Sequence, residues 1–356
     1  MSVVALREFS LDLAAPLATA AGDIEAREGL LVRVDLGGET GVGEATPLPG
    51  WTESLADCRA ALERARDEGT PPVAATPAAR HAVTLGYRDA FARRARRPVA
   101  ATLAREPAGA GGDDGDGAAA SIPANATVGD ASVADTVAAA EAAVESGYRT
   151  VKLKIGARSV AEDVERVRTV ADAVSPLEGD EAVALRADAN GAWGRATARE
   201  ALQALDGLVE YVEQPLPAAD LAGLASLRGA GAPVALDESL TRYGVGEVIE
   251  AAAADAVVLK PMALGGPSRA FAAGRAAAAA GVTPVVTTTV DAAVARTAAV
   301  HVAAALPGGD ERAHGLGTRD LLAADLLAAD PVPVEGGRVD VPTEPGLAGD
   351  AFDGVM

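Results

Sequence analysis

The chain contains 356 residues, 49% of them hydrophobic, and its formal net charge at pH 7 is −20. This acidic balance argues against nucleic acid or an anionic membrane as a partner, because both recruit basic surfaces. The single cysteine, Cys58, excludes a disulfide-stabilised scaffold. Neither a signal peptide nor an apolar run of membrane-spanning length is recognisable, and we therefore expect a cytoplasmic globular protein.

Residues 3–45 alternate between apolar and polar side chains, as in strands, with a turn at Gly37 and Gly38. A helix is predicted over residues 55–68 and a second over about 76–96. We assign these elements to an α+β capping domain that covers residues 1–105.

Residues 106–121 are rich in glycine, aspartate and alanine and cannot bury a core, so we predict an acidic linker there. Beyond it, short apolar runs alternate with alanine-rich helical stretches, which indicates a parallel sheet closed into a β/α barrel over residues 122–330. The tail, residues 331–356, is predicted to be extended and to return to the N-terminal sheet. The eight apolar runs are 122–128, 148–155, 182–188, 208–213, 233–238, 256–260, 283–289 and the weak 313–317.

Lysine is rare in this chain, because arginine occupies every basic position except Lys152, Lys154 and Lys260. Few lysines, many acidic residues and 3% aromatic residues resemble the proteins of extreme halophiles. Codon bias would scatter the lysines, yet two of them form a Lys-Leu-Lys motif and the third ends an apolar run. Since lysine can lose its proton and arginine effectively cannot, we interpret the three lysines as functional.

Charged residues end successive predicted strands, where β/α barrels carry their chemistry. From Lys154 onward they follow at steps of 34, 25, 24 and 23 residues, close to one βα unit each: Asp188, Glu213, Asp237 and Lys260. Taken singly, Asp188 could cap a helix, Glu213 could be a solvated strand end and Asp237 could lie in a turn. Together they would converge and repel, which predicts a Mg²⁺ site with Mn²⁺ as a possible substitute.

The lysines would lie beside this predicted metal site. Alternation places Lys152 and Lys154 on one face of their strand, where neighbouring positive charges favour loss of a proton from Lys154. Lys154 is therefore the candidate general base. A metal bound to a substrate carboxylate would stabilise the dianion formed when the adjacent C–H loses its proton.

The strand-end motifs K-x-K, D-A-N, E-x-P, D-E-S and K-P resemble the enolase superfamily, in its muconate-lactonising-enzyme-like branch. The resemblance implies an α/β protein in which an N-terminal α+β capping domain covers a modified (β/α)₇β TIM barrel. It also implies Mg²⁺ ligation by Asp188, Glu213 and Asp237, with Lys154 and Lys260 as the acid/base pair. Supporting roles are expected for Lys152, Asn190 and Glu238.

Within the superfamily, branches with a late histidine base are disfavoured, because His301 and His314 lie away from the sixth and seventh strand ends. The stretch ending in PLPGWTES, the VVTTT run and HGLGT resemble the o-succinylbenzoate synthase family instead. That resemblance implies a carbon–oxygen lyase that dehydrates 2-succinyl-6-hydroxy-2,4-cyclohexadiene-1-carboxylate to 2-succinylbenzoate for menaquinone biosynthesis. The candidate substrate-binding residues are Thr287, Thr288, Gly265, Leu316 and Gly317.

The same resemblance leaves two alternatives open. An N-acylamino-acid racemase or dipeptide epimerase would use the same lysines on opposite faces of its substrate, although the D-x-D typical of dipeptide epimerases is missing at 313–318. A non-catalytic metal-binding protein would need only the carboxylates, so the three lysines argue against it. A small carboxylate is the expected ligand, and the oligomeric state stays open.

A lid is expected over the barrel mouth, formed by the loop around residues 19–28 and by the PLPGW segment, residues 47–51. Arg27 would either meet a substrate carboxylate or, as we favour, remain solvated. Trp51 is interpreted as a packing residue.

Overall fold

The computed structural model describes residues 2–19, 22–71, 74–106, 117–174 and 182–356. Most of the predicted linker, residues 107–116, lies outside the described residues, as does the tip of the predicted lid loop at residues 20–21.

The N-terminal region is an antiparallel sheet covered by helices. Its strands, in spatial order, are β1 (Ser2–Thr19), β2 (Gly22–Leu36) and β3 (Glu39–Ala45), and its helices are α1 (Leu55–Glu68), α2 (Pro77–Arg94) and α3 (Val99–Ala104). The side chain of Ser54 caps α1 by accepting a hydrogen bond from the backbone N–H of Asp57. Helix α2 lies so close to β3 that a Cβ on Gly43 would be 1.8 Å from the carbonyl oxygen of Ala82, which requires glycine there.

The barrel region begins after residues 107–116, which lie outside the described residues. Strand β4 (Ser121–Pro123) precedes the barrel sheet and lies outside it. The strands of the barrel sheet are β5 (Ala126–Val128), β6 (Thr150–Lys154), β7 (Ala184–Asp188), β8 (Val212–Glu213), β9 (Val234–Leu236), β10 (Ala256–Leu259) and β11 (Thr283–Val286). Its helices are α4 (Val133–Glu145), α5 (Val160–Val174), α6 (Arg195–Leu205), α7 (Leu221–Leu227), α8 (Val245–Glu250), α9 (Pro261–Leu264), α10 (Pro267–Ala279) and α11 (Ala293–Ala305). Strands β5 to β11 pair in parallel in chain order, and each lies inside an apolar run of the sequence, which confirms the predicted fold class.

Two isolated bridges close the sheet in place of a full eighth strand. His314 pairs with Ala124 and Gly315 pairs with Thr287, both in parallel. His314 is fully buried, which lowers its pKa to about 3; its Nδ1 accepts from the N–H of Val286 (3.0 Å) and its Nε2 donates to the carbonyl of Gly309 (3.1 Å). This neutral imidazole therefore fastens the closing segment to β11.

The tail departs from its predicted course. Strands β12 (Val334–Glu335) and β13 (Arg338–Asp340) form an antiparallel sheet with β4, whereas the sequence predicted pairing with the N-terminal sheet. The alternation in this segment suits any open strand edge, and the fold supplies that edge at β4. Farther on, the tail contacts α2: the N–H of Leu347 donates to Asp89 (2.9 Å), and Arg93 donates to the carbonyl of Gly349 (2.7 Å).

Helix α11 is packed on all sides, between the barrel and the N-terminal region, and every one of its residues is buried. His301 lies on it, fully buried, with its Nδ1 accepting from the N–H of Ala100 (3.2 Å), so it is a packing residue. No helix in the described part of the chain has the length and hydropathy of a membrane span.

Candidate active site

Three carboxylates meet at the C-terminal ends of adjacent barrel strands. Asp188 ends β7, Glu213 ends β8 and Asp237 follows β9, with 1%, 1% and 5% of their surfaces exposed. Asp188 is the register partner of both Lys154 on β6 and Glu213 on β8. The near-constant spacing in the sequence therefore places one carboxylate on each of three neighbouring strands.

The three lysines of the chain contact these carboxylates. The Nζ of Lys152 lies 2.9 Å from Asp188 Oδ2 and 2.9 and 3.0 Å from the two oxygens of Glu213. The Nζ of Lys154 lies 2.7 Å from Asp188 Oδ2 and 2.8 Å from Asn190 Oδ1. The side chain of Lys154 is 35% exposed against 17% for Lys152, so Lys154 is the more open to a substrate.

Lys260 completes the group from the far side. Its Nζ lies 2.7 and 2.5 Å from the two oxygens of Asp237. The ring of Trp51, from the N-terminal region, covers the same ammonium at 3.3 Å from Nζ to the ring centroid. Trp51 thus belongs to the site, and the cation–π geometry adds a role that the sequence interpretation of packing missed.

Burial and charge act differently on the three carboxyl groups. Burial raises the pKa of Glu213 to about 7, with a further rise from the charge of Asp188. Burial likewise raises the pKa of Asp237 to about 6, against the lowering effect of Lys260. Burial would raise the pKa of Asp188 too, but the ammonium groups of Lys152 and Lys154 outweigh it and lower that pKa. Contact with two ammonium groups thus sets the pKa of Asp188 apart from those of Glu213 and Asp237.

Two residues with left-handed backbone lie in the loops behind the carboxylates. Asn190 and Gln214 have φ values of 45° and 41°, in the left-handed region. The side-chain oxygen of Gln214 accepts from the N–H groups of Asp237 and Ser239, both at 3.1 Å, and so holds the loop that carries Asp237. Sequence reasoning missed Gln214, for which the only signal was its position between Glu213 and Pro215.

The donor set suits a hard divalent cation in its chemistry. Glu238 adds a fourth carboxylate, whose Oε1 accepts from Asn190 (2.9 Å) and whose Oε2 is buried without a hydrogen-bond partner. Four carboxylates thus face three ammonium groups, and all-oxygen ligation is what Mg²⁺ prefers. Within the described residues, no group of three or more His, Cys, Asp or Glu side chains is arranged to hold a metal ion. In this structure the lysine ammonium groups contact the carboxylate oxygens, so these ion pairs would have to rearrange before the carboxylates could bind a metal ion.

A cavity of about 60 Å³ opens inside the barrel beside the carboxylates. Lys152, Glu213, Thr287 and Gly317 line it, so two of the candidate substrate-binding residues lie there. The hydroxyl of Thr287 donates to the carbonyl of Gly315 (2.7 Å).

The remaining substrate-binding candidates lie elsewhere. The hydroxyl of Thr288 is 3.0 Å from that of Thr318, which itself lines the cavity. Leu316 packs in the apolar core, 2% exposed. Gly265 ends α9 with φ at 79°, and its carbonyl accepts from the hydroxyl of Thr84 (3.4 Å) on α2.

Arg27 is buried, so the interpretation of a solvated arginine is wrong. Only 3% of its surface is exposed. Its guanidinium donates to three backbone carbonyls, those of Thr46 (2.8 Å), Pro47 (3.3 Å) and Val290 (3.3 Å). The residue that the sequence placed in a lid loop instead lies on β2 and ties it to the segment after β11.

The chain is similar to known proteins in sequence. A sequence model described as "Enolase C-terminal domain-like" matches residues 135–350, more than half of the chain. The o-succinylbenzoate synthase of Mycobacterium tuberculosis (strain H37Rv) is 41% identical over 225 residues, 60% of this chain and 63% of that protein. The chain thus matches less than two thirds of the length of this curated relative.

Solved structures match over nearly the whole chain. The L-Ala-D/L-Glu epimerase from Bacillus subtilis, in a substrate-liganded complex, has a TM-score of 0.78 and 27% identity and covers 98% of each chain. The dipeptide epimerase from Methylococcus capsulatus, complexed with Mg and the dipeptide L-Arg-D-Lys, has a TM-score of 0.81 and 27% identity and covers 98% of this chain and 99% of its own.

Proposed function

Because the chain belongs to the enolase C-terminal domain-like family, we propose that it is a Mg²⁺-dependent o-succinylbenzoate synthase of menaquinone biosynthesis. The reaction is the syn-dehydration of 2-succinyl-6-hydroxy-2,4-cyclohexadiene-1-carboxylate to 2-succinylbenzoate, which makes the protein a carbon–oxygen lyase. The observation that carries the proposal is the convergence of all three lysines on three strand-end carboxylates. The similarity to o-succinylbenzoate synthases supports this reaction among those that the site would allow.

Lys154 is assigned the proton transfers. It is the most exposed of the three lysines, and its unprotonated amine would remove the proton α to the ring carboxylate. The resulting ammonium is stabilised by Asp188 and Asn190, its partners at 2.7 and 2.8 Å. It then returns the proton to the departing hydroxyl on the same face. Proton transfer by a positioned side chain accelerates a reaction about 10²–10⁴-fold.

Asp188, Glu213 and Asp237, the carboxylates at the ends of three adjacent strands, would hold Mg²⁺. When bound, the cation supplies Lewis acidity that stabilises negative charge on the substrate carboxylate. Lys260, in contact with Asp237 and covered by Trp51, supplies positive charge at the substrate ring. Trp51 would exclude water from that side.

The experiment is a dehydration assay on the cyclohexadiene carboxylate with Mg²⁺, at molar KCl as the composition suggests, with and without EDTA. We expect turnover that EDTA removes and that Lys154→Ala lowers by about 10³ or more. Arg158→Ala is the matched control, since Arg158 follows the same strand and pairs with Asp130 (3.3 Å), away from the carboxylates. Full turnover in Lys154→Ala would refute the mechanism. A melting temperature that rises with Mg²⁺ without any turnover would favour a non-catalytic metal-binding protein.

A racemase or epimerase of N-acylamino acids or dipeptides is the second candidate. In sheet order, Lys154 on β6 and Lys260 after β10 flank the three strands that carry the carboxylates, as a proton transfer between two faces requires. The whole-chain likeness to epimerases points the same way. Exchange of the α-proton for deuterium in these substrates, without dehydration of the cyclohexadiene, would favour it.

A further inference from the structure

The segment between β11 and α11, residues 287–292, joins the cavity to the N-terminal region. It starts with Thr287, which lines the cavity, and ends at Ala292, which precedes α11. We call it the β11–α11 segment. Two buried charged residues of the N-terminal sheet hold it, and neither takes part in the chemistry proposed above.

Val290 stands in this segment with a φ of 60°. A β-branched side chain rarely adopts the left-handed region, because its Cβ substituents clash with the backbone, so the conformation is strained. Such strain persists only where the surroundings over-determine it. The N–H of Val290 donates to the hydroxyl of Thr288 (3.2 Å). This bond links the strained residue directly to Thr288, whose hydroxyl also contacts that of Thr318.

Arg27 holds the other side of Val290. Its Nε donates to the carbonyl of Val290 (3.3 Å), while its terminal nitrogens donate to the carbonyls of Thr46 (2.8 Å) and Pro47 (3.3 Å). One guanidinium, 3% exposed, therefore bridges the end of β3 and the β11–α11 segment. Its planar set of donors suits three carbonyls, which a single ammonium would not satisfy.

Glu44 fixes the end of the same segment. Its carboxylate is fully buried and accepts from the N–H groups of Ala292 (2.8 Å) and Ala295 (2.9 Å). The N-cap residue of α11, Ala292, has no side-chain cap of its own. A carboxyl group from β3 thus takes the place of a local cap.

We propose that Arg27 and Glu44 are positioning residues that hold the β11–α11 segment in its strained conformation and so keep Thr287 and Thr288 in place for substrate binding. The proposal rests on the function proposed above for its link to the substrate. Its structural part, that the clamp maintains the conformation of Val290, is independent of which reaction the site performs. Loss of the clamp would act on substrate binding more than on the proton transfers at Lys154.

The test compares Arg27→Met, Val290→Gly and the double variant with wild type. In Arg27→Met we expect KM for the cyclohexadiene substrate to rise about tenfold with a much smaller change in kcat. Glycine adopts a positive φ without strain, so Val290→Gly should stay near wild type and should restore KM in the double variant. Arg33→Met is the matched control, because Arg33 also lies on β2 and donates to a backbone carbonyl, that of Asp353 (3.2 Å).

Amide hydrogen exchange over residues 287–292 gives a readout that needs no substrate. We expect faster exchange there in Arg27→Met and in Glu44→Gln, and wild-type exchange in Arg33→Met. Unchanged exchange and KM in Arg27→Met, or a double variant as impaired as Arg27→Met, would overturn the proposal. A wild-type protein without dehydratase activity would refute the proposed function while the exchange data still decide on the clamp. Should Arg27→Met fail to fold, Arg27→Lys, which retains the charge but not the three donors, replaces it in each comparison.

Discussion

Two of the regions in which the molecule buries charge are built in different ways. At the barrel mouth, Lys152, Lys154 and Lys260 pair with carboxylate side chains. At the joint with the N-terminal sheet, the guanidinium of Arg27 bonds backbone carbonyls and the carboxylate of Glu44 accepts from backbone N–H groups. Side-chain ion pairs can exchange partners when a substrate or metal arrives, whereas charges bonded to backbone move only if the chain moves. The first arrangement suits chemistry and the second suits architecture.

The largest expected effect separates charge from proton transfer at the barrel mouth. Lys154→Arg keeps the positive charge beside Asp188 but removes a group that can lose its proton. We expect turnover to fall by about 10³ or more, with a melting temperature close to wild type. Steady-state kinetics and thermal melting measure the two quantities. Turnover within about tenfold of wild type would show that charge alone suffices at this position.

Mg²⁺ should stabilise the barrel mouth and leave the joint unaffected. At a concentration of 100 times its Kd, a bound ion adds about 2.7 kcal/mol to the free energy of unfolding. Thermal melting with Mg²⁺ and with EDTA should show this shift in wild type and lose it in Glu213→Gln. Glu165→Gln, an exposed carboxylate change on α5, is the control and should keep the shift. An equal shift in Glu213→Gln would remove Glu213 from the ligand set.

The joint should contribute to the pH dependence of stability through Glu44. Burial raises the pKa of Glu44 to about 7 from 4.5, with a further rise from Asp291; Arg27 and His81 are the other ionisable side chains beside it. The native state therefore keeps a proton that the unfolded state loses between these values. The stabilisation is fully present below pH 4.5 and is lost as the pH rises through 7.

Denaturant unfolding across this pH range measures the contribution of Glu44, which is on the order of 3 kcal/mol. Glu44→Gln has no proton to exchange and should show a flatter dependence of the unfolding free energy on pH. Parallel curves for the two proteins would contradict the assignment.

The smallest effect is expected where the two regions of the chain meet over Lys260. Trp51→Leu removes the aromatic face above the ammonium, a contact worth about 0.5–2 kcal/mol. We expect kcat/KM to fall by less than about thirtyfold, and Trp51→Phe to recover part of the loss. If Trp51→Leu matched wild type, the cation–π contact would have no part in catalysis.

Much of the barrel and of its mouth was predictable from the sequence. Apolar runs marked the strands β5 to β11 because buried parallel strands read as continuous apolar segments. Motifs at the ends of those runs placed Lys154, Asp188, Glu213, Asp237 and Lys260 together, since strand ends of a parallel barrel meet at one rim. The fold class and the gathering of these side chains thus follow from local patterns repeated once per βα unit.

Other features depended on contacts between distant parts of the chain. Four of these features join residues far apart in sequence: the burial of Arg27, the capping of α11 by Glu44, the position of Trp51 over Lys260 and the pairing of the tail with β4. The left-handed backbone conformation of Val290 is likewise one that a β-branched residue disfavours, so local sequence does not predict it. Local sequence determined the elements and the residues at their ends, because periodicity and strand polarity are local properties. Only the tertiary structure decided which buried charges meet backbone and which meet each other, because that depends on how the closed barrel and the N-terminal sheet pack together.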